Sequence, residues 1–457
     1  MKSGKTRSDH NSAKLSRRKF LQRSALATTA TLAFPYVRTA YAAGSLSMGF
    51  WDHWVPGAND TLTKLVKEWG AKEKVDVQID YITSNGFKNI LTIQAEGQAK
   101  SGHDFLAFPT WEPSAHADLL EPMDDVMKEL VAANGAVDPV VEYLGKQNGH
   151  WLAIPASPGS QLKPPCSRID LMKQFAGIDV VAMYPASAPP NKALADKWTW
   201  EAFSDAAQKC AKGGYPFGMP MGQTTDAVDW VGTVFHAYGA QLVDSEGKIT
   251  VKSDETRQVL EWFKKIVPSL PDDVWAWDDA GNNKWLISGK GALIMNPPSA
   301  WAVAVRDAPK VAEQCWTHDA PAGPKGRFSP FLPYFWGIWN FSKNKSAAKN
   351  LLIHLSSRDS VGKLVAASHG YDLPAYAKLN DFKTWDEEGP PKGTISHYPN
   401  RDHQILAVSA APAPPDIAVQ IYNQALVTKM VYKMMKENQS IEQTIAYAEK
   451  ELEGYAR

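Results

Sequence analysis

Three apolar runs separated by two helical stretches, between residues 46 and 108, constrain the fold of this chain more than any other feature. Residues 46–50 form a short apolar run. After it, Leu62, Leu65, Val66 and Trp69 recur at helical spacing, with Asn59 or Asp60 as candidate cap. Val75, Val77, Ile79 and Tyr81 then alternate with polar residues at the two-residue period of a half-buried strand. A second helix is predicted over 87–99 and a third strand over 104–108. The order β-α-β-α-β implies right-handed crossovers and a parallel or mixed sheet with helices on its faces.

The rest of the chain continues the alternation. A strand over 149–155 is expected to leave a first lobe, and the proline- and glycine-bearing stretch 157–166 to cross into a second. Thr199 is placed to cap a helix beginning at Trp200, and Val259, Leu260, Phe263 and Ile266 mark an amphipathic helix over 254–267. Residues 284–295 read as helix, glycine pair and strand, 335–341 as a strand, and 346–356 as a helix. Ser440 and Gln443 form a capping box that restarts the C-terminal helix.

The first 42 residues do not fit this pattern. A basic stretch leads into Ser16-Arg17-Arg18-Lys19-Phe20-Leu21, which matches the twin-arginine export consensus. A weakly apolar segment over 25–34 follows, too short for a hydrocarbon layer of roughly 30 Å. Ala40-Tyr41-Ala42 supplies a small-x-small cleavage site. The expectation is a signal peptide over 1–42, export by the twin-arginine translocase, and a mature form in a bacterial periplasm. No cysteine stands directly after the cleavage site, which argues against a lipoprotein, and no later apolar run reaches about 18 residues.

Charge becomes informative once the leader is set aside. The whole chain has 49 basic and 49 acidic residues, but nine basic residues and one acidic lie in the leader. What remains has eight more acids than bases, which argues against a nucleic-acid partner. The mature length exceeds what one core usually serves, so two domains are expected. Cys166, Cys210 and Cys315 lie in no CxxC or CxxCH motif, and no metal site or cofactor is expected. Buried free thiols are the expectation, with a Cys166–Cys210 disulfide as the alternative. No GxSxG or HExxH occurs, and no catalytic residue is assigned.

Residues 283–296, Asn283-Lys284-Trp285-Leu286-Ile287-Ser288-Gly289-Lys290-Gly291-Ala292-Leu293-Ile294-Met295-Asn296, followed by Ser299-Ala300-Trp301, resemble a family signature. With 120–124, 148–155 and 339–352, they make the chain resemble the family 1 extracellular solute-binding proteins, the maltose-binding-protein-like receptors of ABC importers. The resemblance implies an α/β fold of periplasmic-binding-protein type II, with mixed sheets flanked by helices and ligand between two lobes. Lobe one would hold 44–157 and 297–340, lobe two 158–296 and 341–457. Hinge passages would lie near 157–163, 295–298 and 340–345. The implied function is capture of a small solute, foremost a mono- or oligosaccharide or polyol, by hinge closure and delivery to a membrane permease.

Ligands of open α/β sheets lie at the carboxyl ends of strands. That rule selects Trp51, Asp52, His53 and Trp54 after the first strand, and Trp111 and Glu112 after the third. A pyranose offers C–H faces for aromatic rings and hydroxyls for polar side chains, and these residue types meet both needs. From the second lobe, Asp229 and Trp230 are read at a helix N-terminus. Asn296, Ser299 and Trp301 occupy a strand-to-helix turn where backbone N–H groups can meet ligand oxygens. Tyr334, Phe335 and Trp336 form a proline-flanked aromatic segment, and Tyr371 completes the set. The Pro-Thr-Trp-Glu-Pro loop departs from the polar-rich loop of maltose binders, which leaves the sugar open. A non-sugar ligand such as a polyamine, favoured by Asp52, Glu112 and Asp229, stays open, as does an exported hydrolase using a carboxylate pair.

Overall fold

The computed structural model describes residues 44–389, 391–394 and 404–455. The residues expected to form the leader and cleavage site, Ser16, Arg17, Arg18, Phe20, Leu21, Ala40 and Ala42, lie outside the described residues.

The predicted β-α-β-α-β start is present as β1 (Ser45–Trp51), α1 (Ala58–Glu73), β2 (Asp76–Ile82), α2 (Lys88–Ala99) and β3 (Phe105–Pro109). β1 pairs in parallel with β2 along its whole length and with β3 at Met48 and Gly49. β2 alternates exposed and half-buried residues, as an edge strand does, whereas β3 is buried throughout. α1 starts one residue before the expected cap, after Gly57 in the left-handed region.

Two long strands leave this sheet. β4 (Ile154–Leu162) runs on to β5 (Pro165–Arg168). The second helical layer contains α3 (Trp200–Lys212), α4 (Thr225–Tyr238), α5 (Asp254–Ile266) and α6 (Gly281–Ile287). It is followed by β6 (Leu293–Met295), α7 (Ser299–Asp307) and β7 (Cys315–Thr317), and β6-β5-β7 form a small antiparallel sheet. The second long strand, β8 (Gly326–Ile338), returns antiparallel between β3 and β4. Its first half pairs instead with the short strand β9 (Ile405–Ala407). The sequence shows only the last residues of β8, because Pro330, Pro333 and Gly337 interrupt the alternation.

α8 (Lys345–Leu355) and α9 (Arg358–Ala367) pack on α1, while α7 packs on α6. These contacts place 345–367 beside the first sheet and 299–317 beside the second, which differs from the expected division at 297 and 341. α10 (Pro415–Asn423), α11 (Leu426–Lys436) and α12 (Ile441–Tyr455) pack together, α11 against α4 and α12 against α5. Two predicted caps are formed. Thr199 Oγ accepts from Ala202 N at 3.2 Å. In the Ser440 box, Ser440 N donates to Gln443 Oε1 and Gln443 N to Ser440 Oγ.

One apolar core runs through both layers, and a smaller cluster contains Cys166, Leu286, Ile294 and Cys315. All three cysteines are free and buried. The alternative Cys166–Cys210 bond is not formed, because Cys166 packs in the small cluster and Cys210 in the main core. Cys166 lies instead against Cys315, and that neighbouring thiol and burial push the Cys166 thiol well above its ordinary value. Among the described residues no helix is long and apolar enough to cross a membrane.

Candidate ligand-binding cleft

The carboxyl end of β1 and the middle of β8 build an aromatic wall. The Trp51 indole stacks on the His53 ring at 4.7 Å and on Tyr334 at 5.6 Å. Tyr371 meets His53 edge-on at 4.9 Å. His53 is held from behind, its Nε2 3.0 Å from Asp372 Oδ1, which also accepts from Gly159 N at 2.8 Å. Gly159 has φ 93°, and a Cβ there would lie 2.5 Å from Trp51 Nε1, so both conformation and space require glycine. The pairing of β8 with β4 shifts register between Leu332 and Tyr334, and both residues line the cavity.

The facing wall comes from helix ends. Thr224 Oγ caps α4 by accepting from Ala227 N, which presents Thr225 and Asp226 in the first turn. Asp279 precedes α6 and accepts at Oδ1 from Thr225 Oγ at 3.0 Å and from Asp226 N at 3.3 Å. Asn283 links Asn296, whose Nδ2 donates to Asn283 Oδ1, with Ser299, whose Oγ accepts from Asn283 Nδ2 at 3.3 Å. The room left between the walls is a cavity of about 40 Å³. A second recess of about 290 Å³ shares Phe87, Ile90 and Thr225 with it and extends to Tyr422 and Asn423.

Charge is concentrated on this wall. The buried Lys163 Nζ lies 2.6 Å from Asp226 Oδ1 and 2.7 Å from Asp229 Oδ2. Tyr422 donates to Asp229 Oδ1 at 2.9 Å, and Asn282 to Asp226 Oδ2 at 2.8 Å. Burial alone would lower the Lys163 ammonium, but Asp226 and Asp229 outweigh it and hold it above its usual range. Burial raises Asp229 in spite of Lys163. Burial, followed by the charge of Asp226, pushes Asp279 up to about 6. Three polar atoms on the lining residues, Trp51 Nε1, Gln161 Oε1 and Ser84 Oγ, are buried without a protein partner. Buried polar atoms are normally paired, so these orphans stand out among the residues that line the cavity. No group of three or more His, Cys, Asp or Glu is arranged to hold a metal ion among the described residues.

The candidates from sequence divide between this cavity and other places. Trp51, Trp54, Asn296, Ser299, Tyr334 and Tyr371 line it together. Asp52 is exposed and accepts from Asn59 Nδ2 at 2.6 Å, and His53 stands behind Trp51. Thr110, at φ 42°, turns the chain after β3. Trp111 Nε1 then donates to Ser409 O at 3.0 Å, and Glu112 Oε1 accepts from Asn423 Nδ2 at 2.9 Å. Burial pushes Glu112 up to about 7. Asp229 and Trp230 are in the second turn of α4, not at its N-terminus. Asp229 pairs with Lys163, while Trp230 packs on Phe263 and donates to Pro220 O. Trp301 packs in the small apolar cluster, and Phe335 and Trp336 in the main core. Sequence reasoning missed Phe87, Asn89, Gln161, Thr225, Asp226 and Asp279. Only the Thr224 cap, with an acid in the following turn, carried a local signal.

The model of the bacterial extracellular solute-binding proteins matches residues 56–361 of this chain, which includes the helix-end wall and Tyr334 but not Trp51, Trp54 or Tyr371. The chain belongs to that family. It is a family of binding proteins rather than of enzymes. A probable ABC transporter-binding protein of Deinococcus radiodurans is 27% identical over 222 residues, 44% of this chain. The match spans 49% of that curated relative, about half its length. Among solved structures, maltose-bound T. maritima MalE3 matches with a TM-score of 0.73 at 18% identity, over 90% of this chain and 99% of that one. A solute-binding protein of Thermotoga lettingae TMO bound with α-D-tagatose matches at 0.72 and 17%, over 91% and 100%. At these identities the likeness establishes the two-lobed fold of the solute-binding protein.

Proposed function

We propose that this solute-binding protein captures a carbohydrate, either a mono- or oligosaccharide or a polyol, between the aromatic wall and the Asp226–Asn296 wall. Closure of the lobes around the sugar would present it to the permease of an ABC importer. The twin-arginine leader would deliver the folded receptor to the periplasm. The observation that carries this reading is the opposition of stacked Trp51 and Tyr334 to a row of hydrogen-bonding side chains, with Trp51 Nε1 and Gln161 Oε1 buried and unpartnered. An aromatic face takes the C–H side of a sugar, and buried orphan groups take its hydroxyls. The maltose and tagatose of the two structural relatives are consistent with such a cleft. The first two strand-end loops and the Asn283–Ser299 turn stand as the proposed binding segments.

The test is a thermal-shift and tryptophan-fluorescence screen of sugars, polyols and polyamines. Sugars or polyols should raise the melting temperature and change the emission of Trp51. Stabilisation by polyamines alone would overturn the carbohydrate reading, and turnover of a glycoside would overturn the receptor reading.

A further inference from the structure

The cleft has more acid than its own cations balance. Lys163 is committed to Asp226 and Asp229, so Asp279 is a third carboxylate beside one ammonium. All hydrogen bonds of Asp279 among the described residues go to Oδ1, which leaves Oδ2 without a protein donor on a residue that lines the cavity. No lysine, arginine or histidine lines the same cavity among the described residues. The same cavity is lined by Trp51, Trp54, Tyr334 and Tyr371, aromatic rings of the kind that attract a cation as well as C–H groups. An acidic group alone would not specify a ligand. Here it is joined by the orphan Trp51 Nε1 and Gln161 Oε1, on side chains only 2% and 6% exposed.

Resting on the carbohydrate reading, we propose that the ligand carries a basic nitrogen beside its hydroxyls, as an amino sugar or amino polyol does, with its ammonium against Asp279 and Asp226. The hydroxyls meet Gln161, Asn296 and the Trp51 indole N–H. A neutral sugar would leave the third carboxylate in the closed cleft without a counter-charge, whereas an ammonium supplies charge and donors together. The groups facing Asp279 are Asp226 on α4, Lys163 after β4, Tyr334 on β8 and Tyr422 on α10. Burial raises both phenols, so they stay neutral near pH 7. With Asp279 at about 6, acidification from pH 7 to pH 5 protonates it and weakens an ammonium partner about ten-fold.

Calorimetric titration of the full chain with matched probes tests this. The probes are D-glucosamine, D-galactosamine and D-glucamine, each against its neutral hydroxyl counterpart, the two amino sugars also against their N-acetyl forms, with spermidine as a non-hydroxylated amine. At least one free amine should bind ten-fold or more tighter than its neutral partner. That preference should shrink about ten-fold at pH 5 and disappear in Asp279→Asn. Because Asp279→Asn can perturb α6, the pH series on the unsubstituted chain is the independent measure. Neutral sugars binding as tightly as the amines would overturn the proposal and leave the carbohydrate reading standing. Spermidine binding without any hydroxylated ligand, or no binding by any probe, would overturn both.

Discussion

His103 and Lys163 are each the cation of a buried acidic network, but they are set in different surroundings. His103, before β3, has Nδ1 2.5 Å from Glu96 Oε1 and Nε2 2.9 Å from Asp80 Oδ2. Glu96 Oε2 accepts in turn from His103 N and from Trp339 Nε1, and Asp80 keeps half its surface in water. Every acid there has a protein partner or solvent, so the network holds the sheet together and asks for nothing else. Lys163 also satisfies two acids, but Asp279 beside them faces a cavity with one oxygen unclaimed. The difference is between charge used to build and charge left over to bind.

The largest effect should come from breaking the Lys163 network. Lys163→Met leaves Asp226 and Asp229 buried without a cation, which should cost about 3–5 kcal/mol in a urea titration. A loss under 1 kcal/mol would mean that the acids there are neutral. The His103 network separates from it by pH. Burial favours the neutral imidazole, but Asp80 and Glu96 outweigh it and raise His103 from 6.5 to about 9. The raised value means that this stabilisation is complete below about pH 6.5 and lost as pH rises through 9. It should amount to about 2–3 kcal/mol, less whatever solvent screens at Asp80. His103→Gln should flatten the stability profile in that window and leave ligand affinity unchanged. At the cleft, Tyr334→Ala should weaken the bound sugar about ten-fold, as loss of one stacked ring predicts. A similar loss of affinity in His103→Gln would erase the distinction between the two networks. The smallest effect concerns the thiols. Cys166, Cys210 and Cys315 should all resist a thiol reagent in the native protein and all react after denaturation.

Much of the scaffold was legible because it is local. The three opening strands, the Thr199 cap and the Ser440–Gln443 box follow from apolar period and capping chemistry within a few residues. β8 was legible only at its end. Its prolines break the alternation, and its pairing with β4 and β9 comes from segments about 70 to 180 residues away. Strand-end reasoning found Trp51 and Trp54 but also selected Trp111 and Glu112, because sequence does not show that Thr110 turns the chain toward Ser409 and Asn423.

The residues alone determined the α/β class, the excess of acid over base after residue 42 and the family to which the chain belongs. Those properties depend on spacing, charge count and motif order, all readable along one dimension. Tertiary structure decided which aromatics face the cleft and which fill the core. It also set Asp226 and Asp279 beside a single lysine, and left Trp51 Nε1 and Gln161 Oε1 without protein partners. Each is a property of groups brought together from distant segments, and whether a buried polar atom is satisfied is defined only once its neighbours are in place.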